Sequence, residues 1–283
     1  MLDLPHVVRL HVEFQKHPLF RDTVAKARTS AIWEFEANET IERLFPDDKS
    51  LAAAVEGYCR FCVEIMRLQV DFNKTGSYAQ NVNPTVDISY MADTYLPGLL
   101  LSWFLWPHHY RQLRFFEEAF VSPMRHAQAT RFYEVATGTG LYSRKALQGC
   151  QTVVGVGFDI SPSSCTFTEN HVGAFGLRER YRVLCSDPIE DIPEPTDWLI
   201  CVELLEHVSD PLRVLRSLRR MLSPNGRAFI TTAINAPSSD HTYLYTSPDE
   251  VVSQLEEAGF TVEDARQNHA ETGPASVAAF LVR

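Results

Sequence analysis

The second half of this sequence alternates short strand-like runs with helix-like runs, and this alternation constrains the fold more than any other feature. Strand–helix alternation is typical of a parallel sheet whose two faces are both covered by helices. No clear helical pattern separates the last two runs, so we expect those two strands to form an antiparallel hairpin. The predicted strands are residues 131–136, 152–159, 181–185, 197–202, 226–233, 260–264 and 276–282.

The first half has a different pattern and is predicted to be entirely helical. Apolar side chains recur every three or four positions from residue 51 to 70, which indicates an amphipathic helix, and Asp47 and Ser50 are its candidate N-terminal caps. A very apolar segment, 86–106, follows, and Pro97 and Gly98 are expected to interrupt it. We therefore predict a helical cap over residues 1–127 and an α/β domain over residues 128–283.

Charge and hydropathy exclude several classes of partner. The formal net charge of −10 argues against binding to nucleic acid or to an anionic membrane, because both require a basic surface. The longest apolar block, 99–106, is far shorter than the roughly 20 residues that span a bilayer. It has two candidate packing partners, the rest of its own domain and a second subunit of a homodimer. The N-terminal segment is amphipathic and lacks a signal-peptide pattern, so a cytoplasmic location is expected.

The cysteine pattern predicts no metal site. Six cysteines are present, and Cys59 and Cys62 form a C-x-x-C pair within a helical pattern. A zinc site of this kind requires a second pair of ligands nearby, which the sequence lacks. We expect all six thiols to be reduced.

A small-residue turn follows the first predicted strand. Thr137, Gly138, Thr139 and Gly140 lie between this strand and a helix, where glycines let the backbone approach a ligand and a helix start offers free N–H groups. The second strand ends about 20 residues later in Asp159, and an acid at that position can accept hydrogen bonds from both ribose hydroxyls. A dinucleotide is disfavoured, because the G-x-G-x-x-G spacing is absent.

Five motifs in order make residues 130–283 resemble the class I S-adenosylmethionine-dependent methyltransferases. They are EVATGTG (134–140), Asp159, SDP (186–188), CVELLEHVSDP (201–211) and LSPNGRAFITT (222–232). Ala136 departs from the glycine usual in the first motif. The resemblance implies a Rossmann-like seven-stranded sheet that binds S-adenosylmethionine. The implied cofactor contacts are Glu134, Ala136, Thr137, Gly138, Thr139, Gly140, Asp159, Ile160, Asp187, Pro188, Glu203 and Leu204.

The chemistry requires little more than position, because the sulfonium of S-adenosylmethionine is already a strong electrophile. An enzyme must hold a nucleophile in line and exclude water, and a general base is optional. The candidate catalytic residues are Tyr78, Asn83 and Tyr90 in the cap and His207 after the fourth strand. Trp103 and Trp106 are interpreted as helix-packing residues.

Three functions fit this sequence. The first is a methyltransferase of specialised metabolism whose small acceptor is enclosed by the helical cap. The second is a cyclase that uses S-adenosylmethionine as its substrate: the α-amine attacks the γ-carbon, giving azetidine-2-carboxylate and methylthioadenosine. The third is an inactive, cofactor-binding regulatory subunit. All three have a small molecule as the ligand.

Overall fold

The computed structural model describes residues 2, 4–76, 88–238, 240–271 and 273–283, and within them seven strands form one sheet. The strands are β1 (Arg131–Val135), β2 (Val154–Asp159), β3 (Tyr181–Cys185), β4 (Thr196–Cys201), β5 (Leu222–Ile234), β6 (Val262–His269) and β7 (Ser276–Val282). Their order is β3-β2-β1-β4-β5-β7-β6. Strands β1 to β5 are parallel, and β7 pairs antiparallel with both β5 and β6. The predicted Rossmann-like sheet and its terminal antiparallel pair are confirmed.

Four helices connect the strands of this sheet: α9 (Leu141–Gly149), α10 (Pro162–Ala174), α11 (Pro211–Arg220) and α12 (Pro248–Glu257). Successive residues of a strand point to opposite faces. Accordingly Phe229 and Leu281 belong to one core cluster and Ile230 and Phe280 to another. Both faces are thus covered, which explains why the strands are apolar throughout.

The N-terminal residues are helical, as predicted. The helices are α1 (Pro5–Gln15), α2 (Thr23–Ala27), α3 (Ala31–Leu44), α4 (Asp48–Thr75), α5 (Ile88–Tyr90), α6 (Leu96–Leu105), α7 (Pro107–Phe116) and α8 (Ser122–His126). Asp47 and Ser50 form the reciprocal capping box at the start of α4, with the Ser50 N–H donating to Asp47 Oδ1 at 2.8 Å. The predicted caps of this helix are confirmed.

The expected interruption at Pro97 and Gly98 is wrong, because both residues lie within α6. A π-helical turn, Met91–Tyr95, leads directly into this helix. Because a π turn shifts the pattern of backbone hydrogen bonds, the missing N–H of Pro97 does not end the helix. Gly98 serves packing, since a Cβ there would approach Phe61 Cβ to 2.7 Å. The small residue lets α6 approach α4 closely.

The N-terminal helices and one face of the sheet share a single hydrophobic core. The rings of Phe116 and Phe120 contact Phe229 of β5, with centroids 5.0 and 6.2 Å apart. Within the helical part, the Trp33 indole N–H donates to the Phe104 carbonyl at 2.7 Å. Leu100 and Leu101 are buried inside the chain, so the apolar segment 99–106 packs largely within its own chain, and the homodimer stays a prediction.

Two properties of the described residues bear on the expectations from composition. Among these residues, no helix combines the length and apolar character needed to cross a bilayer. All six cysteines are free thiols, and of them only Cys185 is exposed.

Candidate functional site

The turn after β1 brings the backbone into left-handed conformations at three positions. The φ angles are 60° at Ala136, 49° at Gly138 and 71° at Gly140. A Cβ on Gly140 would meet Thr168 Cγ2 at 2.7 Å, whereas the space beside Gly138 is open. Glycine adopts these angles without strain, but alanine pays about 1–2 kcal/mol. The turn therefore leaves open space at Gly138, where a ligand can approach the backbone.

Glu134 lies in β1, just before this turn, and is hydrogen-bonded to the helix that follows the turn. Its carboxyl Oε2 accepts hydrogen bonds from both the backbone N–H (3.1 Å) and the hydroxyl of Ser143, in the first turn of α9. The Tyr181 hydroxyl lies 3.5 Å from the same oxygen. Burial raises the pKa of Glu134 to about 8, against the lowering effect of the Ser143 hydrogen bonds. Glu134 thus fixes the start of α9 against β1.

Asp159, at the end of β2, is bonded to the same turn from the side. Its Oδ2 accepts from the Gly138 N–H at 3.0 Å and from the Thr137 hydroxyl at 3.4 Å, and its Oδ1 accepts from the Ser161 N–H at 2.9 Å. Burial raises the pKa of this carboxyl, while these hydrogen bonds lower it. Asp159 therefore lies where the β1 and β2 loops meet, at the carboxyl edge of the sheet.

An apolar surface continues from Asp159 toward β3. Ile160 is 70% exposed and Leu184 is 37% exposed. Asp187 follows β3 on the surface, and its Oδ1 accepts from the Ile189 N–H at 2.9 Å, whereas Pro188 is buried. The ends of β2 and β3 thus combine exposed apolar surface with a carboxylate, a suitable surface for a flat heterocycle.

The end of β4 is strained and rich in carboxylates. Glu203 has a φ of 51°, and its N–H donates to the Thr231 hydroxyl oxygen at 3.0 Å. The Thr231 hydroxyl in turn donates to Glu203 Oε1 at 2.5 Å. Burial and then the neighbouring Glu206 carboxylate raise the pKa of Glu203 well above its usual value. Leu204 packs against the core beneath. Non-glycine residues in this conformation are concentrated at functional sites.

His207 is held by Asp240 from the loop after β5. Its Nδ1 lies 3.2 Å from Asp240 Oδ2. Burial alone would lower the pKa of His207, but the Asp240 carboxylate and then Glu206 reverse this effect and raise it to about 10. The ring of His241 meets that of His207 edge-on, with centroids 4.7 Å apart. Burial and the neighbouring His207 lower the pKa of His241.

A cavity of about 380 Å³ separates this edge of the sheet from the N-terminal helices. Its helical wall is aromatic and includes Tyr58, Phe61, Tyr95 and Trp106. Its opposite wall carries a polar corner formed by Glu203, Glu206, His207 and His241. The carboxylate of Glu206 and the two imidazoles place ligand atoms within 4.8 Å of one another, so these three side chains are the described group most suited to a metal ion.

Comparisons with known proteins agree with this geometry. Residues 133–228 match the family model described as a methyltransferase domain. The chain is 28% identical over 151 residues to the ubiquinone biosynthesis O-methyltransferase of Pseudomonas fluorescens (strain SBW25), covering 46% of this chain and 64% of that protein. Its counterpart in Pseudomonas syringae pv. tomato is 34% identical, covering 40% and 47%. The chain thus spans less than two thirds of the length of these relatives.

Solved structures extend the likeness to the N-terminal helices. The mitomycin 7-O-methyltransferase has a TM-score of 0.61 at 15% identity, covering 98% of this chain and 94% of that one. Human N-acetylserotonin methyltransferase, solved in complex with SAM, has a TM-score of 0.58 at 13% identity, covering 82% and 70%. At such identities the likeness concerns the fold. The C-terminal part of this chain is thus similar in sequence to methyltransferase domains, and the chain shares the fold of these two methyltransferases.

The sheet brings the predicted cofactor residues to one edge. Asp159 is hydrogen-bonded to Thr137 and Gly138 of the turn, Glu134 is hydrogen-bonded to Ser143 of α9, and Asp187 and Glu203 follow the ends of the neighbouring strands. Their contact with a cofactor stays a prediction.

Of the four candidate catalytic residues, the structure describes His207 and Tyr90. His207 lines the cavity, whereas the Tyr90 hydroxyl donates to Glu64 Oε2 at 2.5 Å and its ring lies 6.4 Å from that of Tyr95. Tyr78 and Asn83 lie outside the described residues.

Three residues lie at or beside the cavity although the sequence did not predict this position for them. Trp106 was interpreted as packing; it packs on Phe61 but also lines the cavity, and its indole N–H donates to the Tyr58 hydroxyl at 2.9 Å. Glu206 and Asp240 were missed. The signal for both was an acid beside a histidine in a loop that follows a strand, at Glu206–His207 and Asp240–His241. Trp103, at 3% exposure, packs as predicted.

Proposed function

We propose that this protein is an S-adenosylmethionine-dependent O-methyltransferase that acts on a hydroxyl group of a small, largely apolar molecule of specialised metabolism. The observation that carries this proposal is the shared position of Glu203. It follows β4 at the edge predicted to hold the cofactor, and it also lines the cavity. The cofactor and the acceptor would thus meet at the wall of the cavity that contains Glu203. In this arrangement residues 128–283 hold the cofactor and residues 1–127 form the cap.

The edge of the sheet suits each part of S-adenosylmethionine. The bound cofactor supplies an activated methyl group on its sulfonium. Asp159 would accept hydrogen bonds from the ribose hydroxyls; its carboxylate has about four acceptor sites. Three are used within the chain, and the 3.4 Å contact with the Thr137 hydroxyl is the one most readily replaced. Ile160 and Leu184 would pack on adenine, with Asp187 at its amino group.

The cavity supports a small aromatic or aliphatic acceptor. Its volume of about 380 Å³ falls within the usual range for pockets that bind small molecules. Stacked rings of Phe61 and Trp106, with centroids 5.7 Å apart, form its apolar wall. The polar corner is the place where a hydroxyl could be bound, because the pKa of His207, raised to about 10, makes this side chain a hydrogen-bond donor. His207 would contact the acceptor oxygen, while Asp240 keeps the imidazole in position. The relatives named as O-methyltransferases support oxygen as the acceptor atom.

The test is product analysis of purified protein with S-adenosylmethionine, alone and with a panel of small phenols and hydroxy acids. We expect S-adenosylhomocysteine to form only with an acceptor, together with an equal amount of its methyl ether. His207→Ala should reduce kcat at least 100-fold, whereas His126→Ala, an exposed change on α8, should not.

Two outcomes would contradict this proposal and support the alternatives. Methylthioadenosine with an equal amount of azetidine-2-carboxylate, formed without acceptor, would indicate the cyclase. Cofactor binding by calorimetry without turnover of any acceptor would indicate a regulatory subunit.

A further inference from the structure

A second cavity, of about 350 Å³, is lined by residues of α3, α7, α8 and α9. Arg144 of α9 lines it and is only 1% exposed. Its guanidinium lies over the ring of Phe175, 4.3 Å from the centroid. Burial lowers the pKa of Arg144 to about 10, so the side chain is still a cation at neutral pH. A buried charge is costly unless it is paired and hydrogen-bonded.

One edge of this guanidinium has no hydrogen-bond partner among the described residues. Nη1 donates to Gln148 Oε1 at 3.3 Å, whereas Nε and Nη2 are buried and unpartnered. Nε and Nη2 lie on the same side of the planar group, so they point two N–H groups in parallel. Such a fork binds two oxygens of one carboxylate or phosphate group. The unused edge of Arg144 therefore indicates a site for an oxyanion.

Most of the other charges of this cavity cancel. Lys145 Nζ lies 2.5 Å from Glu36 Oε1 and 3.0 Å from Glu117 Oε1. Arg114 is a second cation on the same two carboxylates, with Nη1 at 3.5 Å from Glu36 Oε1. Two acids and two cations thus neutralise one another.

Two cations of the cavity remain without a carboxylate partner. Glu39, the third acid of its lining, pairs with Arg43 Nε at 3.0 Å. The acids raise the pKa of Arg144 from a distance, but each is bonded to another cation. Arg125 of α8 also lines the cavity, is exposed, and has no ion pair among the described residues. The unmatched charge is therefore that of Arg144 and Arg125.

We propose that Arg144 and Arg125 bind a phosphate group in this cavity, either as the free ion or as part of a small metabolite. The fork of Arg144 would bind two phosphate oxygens, and Arg125 would bind a third from the exposed side. A phosphate monoester carries about −1.5 to −2 charges at pH 7, which matches two cations, whereas a carboxylate matches one. A volume of about 350 Å³ is within the usual range of small-molecule pockets, so the phosphate can carry an organic group.

The first experiment is isothermal titration calorimetry of the full chain with inorganic phosphate and, separately, with glycerol phosphate, at constant ionic strength. It needs neither cofactor nor acceptor, so it is independent of the proposed function. We expect one site per chain. Arg144→Lys keeps the charge but loses the fork, and should weaken binding by roughly 10-fold or more. Arg125→Gln should weaken it several-fold.

Arg220→Gln, at an exposed position of α11, is the matched control and should leave the affinity unchanged. Tighter binding of glycerol phosphate would identify a phosphorylated metabolite as the ligand class, and tighter binding of phosphate would identify the free ion; both support the site. Equal affinity in Arg144→Lys and the wild type, or no binding of either probe at millimolar concentration, would overturn the proposal.

A second readout uses the unaltered protein, so it does not depend on how a variant folds. A proton–nitrogen correlation spectrum reports the Nε–H group of each arginine. We expect the assigned Arg144 Nε–H signal to move to lower field as phosphate is added, because this group then donates to a charged oxygen. Phosphate binding that leaves this signal in place would assign the anion to another surface and refute the site.

Discussion

The pH dependence of stability should report the buried carboxyl of Glu134. This side chain is 1% exposed, and burial raises its pKa from 4.5 to about 8 in the folded protein. Between these two values the folded protein holds a proton that the unfolded chain releases. The free energy of unfolding must therefore fall as pH rises from about 5 to 8. The contribution of neutral Glu134 is fully present below pH 4.5 and is lost above the folded pKa.

The magnitude follows from the size of the shift. A difference of 3.5 units between 4.5 and about 8, at 1.36 kcal/mol for each unit, corresponds to about 5 kcal/mol across this window. Water entry and local rearrangement relieve part of the penalty, so about 5 kcal/mol is an upper limit. Such a change is a large fraction of the free energy of unfolding of a typical folded domain, which is about 5–15 kcal/mol.

Glu134→Gln isolates this effect, because glutamine keeps an oxygen that can accept from Ser143 but has no proton to lose. Urea unfolding followed by circular dichroism, without cofactor, would be measured for both proteins at steps from pH 5 to 9. All other titrating groups are common to both and cancel in the difference. We expect the variant to gain stability relative to the wild type by several kcal/mol as pH rises.

Glu256→Gln, at an exposed position of α12, gives the comparison for removal of a surface carboxylate. A difference between Glu134→Gln and wild type that stays constant within about 0.5 kcal/mol over this range would refute the reasoning. It would mean that Glu134 is ionised in the folded protein and is solvated by its hydrogen bonds.

Three further predictions test the turn and its neighbours. Asp159→Ala should weaken S-adenosylmethionine binding at least 10-fold by calorimetry, since it removes a charged acceptor; wild-type affinity would contradict the assignment. Ala136→Gly should raise the free energy of unfolding by up to about 1 kcal/mol by relieving a positive φ, whereas Ala53→Gly, exposed in α4, should lower it by about 1 kcal/mol. Gly157→Ala should lower the free energy of unfolding by about 1–3 kcal/mol, because the added Cβ would meet the Tyr181 hydroxyl at 2.2 Å. Tyr181→Phe in the same protein should restore part of this loss. No recovery in a double-mutant cycle would contradict the contact.

The strands show how far periodicity predicts this fold. Strands β3 and β7 match their predicted bounds, and β1 and β2 agree to within two residues. The fifth strand begins at Leu222, before the predicted 226, because pairing with Thr196 of β4 extends it. That pairing joins segments distant in sequence, so a local pattern does not contain it.

The glycines show that a residue type alone does not predict the local backbone structure. Gly138 and Gly140 behave as the turn pattern indicated, with positive φ angles. Gly98 does not, because it continues a helix and exists for contact with Phe61. The same residue type marks a bend in one place and a close approach in another, and only the packing partner distinguishes them.

The sequence by itself determined the elements, the parallel sheet and the turn that a cofactor can approach, because these depend on spacing within a few residues. Only the tertiary structure decided the cavity and its polar corner. His207 follows β4 and His241 lies in the loop after β5, and they meet because neighbouring parallel strands end at one edge. Likewise Tyr58 and Trp106, on separate helices, meet across a hydrogen bond. Contacts over such distances along the chain depend on how whole elements pack, which no short stretch of sequence encodes.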